Sequence, residues 1–201
     1  MPDTLIYDDV KVIYIALNKT ASTSTIHTLG YNYNDRQKKS GVLGLPVLTN
    51  TYDTKGNNSF YRKNYPNYFI FTFVRNPYDR IVSYFMWGKY NNSSNNSIWN
   101  DFDTFVKNIV SNTDYNVSDF CLQTFTIDNI SYMDFIGKFE NYQDDMKILM
   151  KMLNLDFYGV KEHKNKMERE RDYRKYYKST ESIEIVTTKF KRDLDVFDYK
   201  F

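Results

Sequence analysis

The amino-acid sequence predicts an α/β fold: a single domain over residues 1–201, with a central parallel sheet flanked by helices and a P-loop-like, phosphate-binding strand–loop–helix. Three observations carry that expectation. Two short β-branched and aromatic runs, at 11–17 and 68–74, have the length and composition of strands buried on both faces. Each run stops abruptly at residues that suit an anion. Strand-like and helix-like segments then alternate, which implies a parallel sheet covered by helices. A chain of 201 residues can bury one substantial core and is short for two.

In chain order, residues 1–10 form a short lead-in to the first strand, 11–17. The small hydroxyl residues at 20–25 suit a tight loop and a helix N-cap, with the helix over 23–29. Residues 31–66 are polar and rich in Gly, Asn and Tyr, a long connection of the kind that often carries function. A second strand, 68–74, precedes a helix at 78–90, with Pro77 placed at its first turn. The run NNSSNNSIWN at 91–100 is a low-complexity loop. Phe102, Phe105, Val106 and Ile109 recur at helical spacing behind Asp101 and Asp103, and a short strand is expected at 133–136. Met146, Leu149, Met150 and Leu153 mark an amphipathic helix over 142–153, and Ile183, Val186 and Phe190 another over 179–193.

The two strand ends are where chemistry is expected. After Leu17 come Asn18, Lys19 and the run Thr20-Ala21-Ser22-Thr23-Ser24-Thr25. A strand feeding such a loop and then a helix aims backbone N–H groups, the helix dipole and a lysine at one point. After Val74 come Arg75, Asn76 and Pro77, and Ser83 lies two helical turns on. Two anion sites at the carboxyl ends of adjacent strands suggest one ligand with a phosphate at each end.

These residues resemble the sulfotransferases, and most closely the carbohydrate branch that includes the heparan and chondroitin enzymes. The likeness rests on four blocks in order: the Lys-Thr-Ala-Ser-Thr-Ser loop, the run FVRNPYDRIVSY, the segment DFIGKFENYQDD at 134–145, and a C-terminal part with His163, Asn165, Tyr176, Tyr177 and the ending DLDVFDY at 193–199. The resemblance implies 3′-phosphoadenosine 5′-phosphosulfate (PAPS) as sulfuryl donor, with 3′,5′-adenosine bisphosphate as product, and an acceptor hydroxyl on a carbohydrate or small molecule. It places Lys19, Thr20, Ala21, Ser22, Thr23 and Ser24 around the 5′-phosphosulfate, with Lys19 steadying the charge that grows on the leaving group. It places Arg75 and Ser83 on the 3′-phosphate.

That branch usually has a histidine between the two motifs, and the interval 30–68 holds none. Asp53 falls near the expected place and would serve as base if desolvation raised its pKa; as an Asp beside Gly56 and Asn57 it also fits a polar turn. His27, one turn into the helix behind the loop, is the second candidate, against a reading as a packing or solvent-facing residue. Arg75 has a competing reading as the ion-pair partner of Asp79 or Glu140. The mixed-charge segment 161–178 is either a solvated face or a loop that brings Lys164, Asn165 or Arg169 to the 3′-phosphate or to an anionic acceptor.

A net charge of +2 excludes bulk attraction to nucleic acid, so anion binding must be local. The composition, 41% hydrophobic and 18% aromatic, is that of a globular chain. The single cysteine, Cys121, forms no internal disulfide, and with His27 and His163 shows no metal-ligand spacing. Without a signal segment or an apolar run long enough to span a bilayer, the expectation is a soluble cytoplasmic protein that binds no membrane. Two other readings remain at this level. A P-loop kinase or NTPase would share the strand–loop–helix, but this loop lacks both glycines of G-x-x-x-x-G-K-[ST]. A catalytically inactive nucleotide- or glycan-binding relative would account for the missing histidine.

Overall fold

The computed structural model of the chain describes residues 3–29, 50–51, 58–91, 97–111, 131–157, 159 and 168–201. The chain forms two compact units: Met1–Val74 with Asp119–Asn165, and Arg75–Ser118 with Lys166–Phe201.

The first unit is built on one sheet. Strands β1 (Asp3–Tyr7), β2 (Val12–Ala16), β3 (Asn50–Thr51), β4 (Phe69–Val74) and β5 (Phe135–Lys138) lie in the order β3-β1-β2-β4-β5. The expected parallel arrangement holds for β2, β4 and β5, with Ile15 opposite Thr72 and Val74 opposite Lys138. It does not hold for β1, which is antiparallel to both β2 and β3. The supposed lead-in is therefore a strand. Leu5, Ile6 and Tyr7 are all buried, so their run shows no alternation, and at three residues it is too short to stand out. A turn of 3₁₀-helix, Asp8–Val10, and Lys11 at φ 54° reverse the chain into β2.

All five residues of β2 and all of β4 beyond Phe69 are buried. Tyr14 stacks on Phe71 with ring centroids 4.7 Å apart, and the Thr72 hydroxyl donates to Ile15 O at 2.7 Å. Helix α1 (Ser22–Thr28) contributes Ile26 to this core. A later helix, Tyr142–Met152, contributes Tyr142, Met146, Leu149 and Met150, while Ile148 and Met152 on its other face are exposed, as the amphipathic pattern predicts. The short strand expected at 133–136 begins two residues later, because Asp134 is a cap instead. Its carboxylate accepts from Ile70 N at 2.8 Å and from Arg62, on helix α2 (Asn58–Asn64), at 2.7 Å. In β5, Gly137 lies against the buried Phe73 ring, and a Cβ there would sit 2.3 Å from Phe73 Cε1.

The second unit is helical among its described residues. Helix α3 (Pro77–Asn91) starts where the sequence places it: the Asn76 side chain accepts from Tyr78 N at 3.1 Å as N-cap, and Pro77 fills the first position. Helix α4 (Phe102–Phe105) is capped by Asp101, which accepts from Thr104 N at 2.8 Å, and runs into a wider π-helical turn, Val106–Val110. With Tyr142–Met152 of the first unit as α5, the last two helices are α6 (Thr180–Lys189) and α7 (Lys191–Phe197). The single helix expected over 179–193 is thus two, broken at Phe190, whose φ of −110° and ψ of 18° leave the helical region. Phe85, Trp99, Phe102, Phe105 and Tyr177 form a continuous aromatic core. The C-terminal segment is tied to the start of α3: Asn76 donates to Lys200 O at 3.0 Å, Tyr177 OH donates to Tyr78 O at 3.0 Å, and the Phe201 ring meets the Tyr78 ring edge-on.

Candidate functional site

Between β2 and α1 the chain makes a tight turn. Lys19 and Ala21 both have φ of 65°, in the left-handed region that favours glycine, although neither is one. Local hydrogen bonds hold this shape. Thr20 is fully buried and its hydroxyl donates to Leu17 O at 2.8 Å. Any share Thr20 has in binding an anion falls to its backbone N–H, since the hydroxyl proton is committed.

Thr25 ties the far side of the loop. Its Oγ1 donates to Ala21 O at 3.2 Å and lies 2.9 Å from the Tyr142 hydroxyl of α5. Burial pushes the Tyr142 hydroxyl up to about 12, so it stays protonated across the neutral range. Burial likewise pushes Tyr14, beneath the same loop, well above the usual tyrosine range. Tyr142 was legible only as the start of a helix. Its partner is 117 residues away, and no spacing rule links the two.

The first turn of α1 has no side-chain cap: Ala21 occupies the N-cap position and brings no acceptor. The first turn of a helix brings backbone N–H groups that its own ladder does not use, and a helix N-terminus favours negative charge. Lys19, Ser22 and Thr23 are half-buried and Ser24 is buried. The six residues expected to cradle an anion therefore occupy one short loop and one helical turn. His27 sits half-buried in the last turn of the same helix. Asp53, the other base candidate, and Cys121, His163, Lys164 and Asn165 lie outside the described residues.

β2 and β4 are parallel neighbours, as the two-site expectation requires, so their carboxyl ends share one edge of the sheet. Arg75 is the residue after β4 and is buried. Its Nε and Nη2 donate to Asp79 Oδ2 at 2.9 and 2.6 Å, which realises the ion pair foreseen with Asp79. Arg169 donates to the other oxygen, Asp79 Oδ1, at 2.7 Å. Ser83 is half-buried, one helical turn beyond Asp79. Arg80 is buried as well.

The first unit thus holds a mixed sheet with a lysine-bearing loop after β2, and the second unit opens on a buried arginine directly after β4. The chain belongs to the Sulfotransferase family, whose pattern it matches over residues 2–200. Comparison with curated proteins gives no match, and comparison with solved structures gives none either. Among the described residues, no helix is long and apolar enough to cross a membrane.

Proposed function

We propose that this chain transfers a sulfuryl group from PAPS to an acceptor hydroxyl, on a carbohydrate or a small molecule. The observation that carries the reading is the β2–α1 loop: two left-handed residues, a lysine and an uncapped helical turn gathered within six residues. Those features fit a 5′-phosphosulfate, because backbone N–H groups and a cation are what a polyanionic group needs. PAPS, when bound, supplies the activated sulfuryl group.

In this reading Lys19 meets the charge that develops on the leaving oxygen. The backbone N–H groups of residues 20–24, with the hydroxyls of Ser22, Thr23 and Ser24, orient the 5′-phosphate. Arg75 and Ser83 hold the 3′-phosphate, Arg75 through its planar donor fork. Positioning and charge stabilisation supply most of the rate, since sulfuryl transfer asks little covalent chemistry of the protein. Asp53 and His27 are the candidates for the base that accepts the acceptor's proton. His27 is held back from the loop's first turn, so Asp53 ranks ahead of it. The connection at 31–66, the Asn/Ser-rich run at 91–100 and segment 161–178 are proposed to shape the acceptor pocket.

Calorimetric titration with 3′,5′-adenosine bisphosphate, competed by 5′-AMP and by ATP without magnesium, tests the reading. Tight binding that requires the 3′-phosphate is expected. Lys19→Ala should abolish transfer while leaving nucleotide binding largely intact, and Arg75→Ala should mainly weaken binding. A preference for ATP with magnesium would overturn the sulfotransferase assignment in favour of a kinase or NTPase.

A further inference from the structure

A hydroxyl from α5 reaches the helix that follows the β2–α1 loop. Tyr142 is the first residue of α5 and is 5% exposed. Its ring packs on Phe73 of β4 with centroids 5.0 Å apart, so the core fixes where its hydroxyl sits. That hydroxyl lies 2.9 Å from Oγ1 of Thr25, which is fully buried. A hydroxyl has a single proton to give. Thr25 gives its own to Ala21 O at 3.2 Å, so the proton between the two hydroxyls is that of Tyr142. The bonds therefore run in one direction, from Tyr142 to Thr25 to the carbonyl of Ala21. In such a chain each bond polarises the next, and the exclusion of water strengthens both.

The receiving carbonyl matters because of what shares its plane. Ala21 O also accepts from Thr25 N at 2.9 Å, so Thr25 grips it twice. Across a trans peptide the C=O and the following N–H point in opposite directions. A grip on Ala21 O thus fixes the direction of Ser22 N–H as well. Ala21 itself sits at φ 65° and ψ 22°. A residue with a Cβ adopts that left-handed conformation at a cost and keeps it where its surroundings over-determine it. The relay from Tyr142 is one such restraint.

We propose that Tyr142 is a positioning residue for the 5′-phosphate: through Thr25 it holds the peptide between Ala21 and Ser22 in the orientation that binds the phosphate. The inference rests on the PAPS reading above and goes beyond it, since Tyr142 touches no ligand in that reading. Its hydroxyl acts at two hydrogen bonds' remove, on the direction of one backbone N–H.

The test compares wild type, Tyr142→Phe, Thr25→Val and the double variant by calorimetry, each titrated with 3′,5′-adenosine bisphosphate and with adenosine 3′-monophosphate. The ratio of the two dissociation constants isolates the 5′-phosphate. Loss of one neutral hydrogen bond from the relay makes the expected fall in that preference about 3- to 10-fold for Tyr142→Phe, with 3′-monophosphate affinity unchanged. Thr25→Val removes the same relay and should fall at least as far. Adding Tyr142→Phe to it should change the ratio no further, because a residue that acts through another has no effect once the other is gone. Melting curves show which variants fold, and Tyr142→Phe, which loses only an oxygen atom, carries the test alone should the valine variants fail to. A wild-type preference in Tyr142→Phe would overturn the proposal. Equal weakening of both nucleotides would overturn it too, as the mark of a merely structural role. So would a full further loss in the double variant, since Tyr142 would then act by a route other than Thr25. A wild type that binds both nucleotides equally would instead overturn the 5′-phosphosulfate reading of the loop, and the relay with it.

Discussion

Asp193 gives the fold a pH dependence that can be worked out from its surroundings. It lies in the first turn of α7, is 6% exposed, and burial pushes its carboxyl from 3.8 up to about 7, with Arg80 and Arg192 pulling only part of the way back. A carboxyl that holds its proton more tightly when folded stabilises the fold while it is protonated. That contribution is fully present below the unfolded value near 3.8 and is lost as pH rises through about 7. The displacement of about three in pKa corresponds to about 4 kcal/mol once the group is fully ionised. Asp193→Asn keeps the shape and removes the charge. Urea unfolding of both proteins should give nearly equal stabilities at about pH 4, and a gap in favour of the variant that widens up to about pH 8. A gap that stays constant with pH, or a variant less stable than wild type at the upper end, would refute the reasoning. It would mean that Asp193 is ionised and that Arg80 satisfies it.

Two further substitutions probe the frame around the loop. Tyr142→Phe deletes the hydroxyl partnered by Thr25, at a cost of about 1 kcal/mol, and should lower Tm by about 2–4 °C. An unchanged Tm in scanning calorimetry would show that Ala21 O alone satisfies Thr25. Gly137→Ala would place a Cβ 2.3 Å from the edge of Phe73, a fully buried ring with no room to turn aside. The overpacking should cost about 1–3 kcal/mol in denaturant unfolding, and a neutral result would mean that β5 shifts away from β4.

The strands that carry the candidate site were legible because β2 and β4 are continuous apolar runs that end in recognisable ligand chemistry. The start of α3 was legible for a different reason: Asn76, Pro77 and Asp79 are each favoured at the position they occupy, so local preference and final structure agree. β1 was not legible, because its apolar run is too short to stand out and its buried residues show no period. Nor was the break at Phe190: Ile183, Val186 and Phe190 keep helical spacing straight across it. Of the candidate site, residues 19–24 and Arg75 are those that the sequence itself puts forward. It does not put forward their supports. Tyr142 reaches Thr25, and Arg169 reaches Asp79, across separations that no local pattern records. The segment DFIGKFENYQDD was noticed only as a likeness. Its glycine now has a physical reason, the Phe73 ring, and so does Asp145, whose carboxylate accepts from Lys138 N at 2.6 Å.

β1 bonds to β2 on one side and to β3 on the other, and so covers an edge that the three parallel strands would otherwise expose. Without residues 3–7, β2 would present a row of bare N–H and C=O groups flanked by Val12, Tyr14 and Ile15. Such an edge is a template for any strand that drifts past, including one from another copy of the chain. Those few residues, none of them a candidate ligand contact, thus keep the sheet's central strand from recruiting a neighbour.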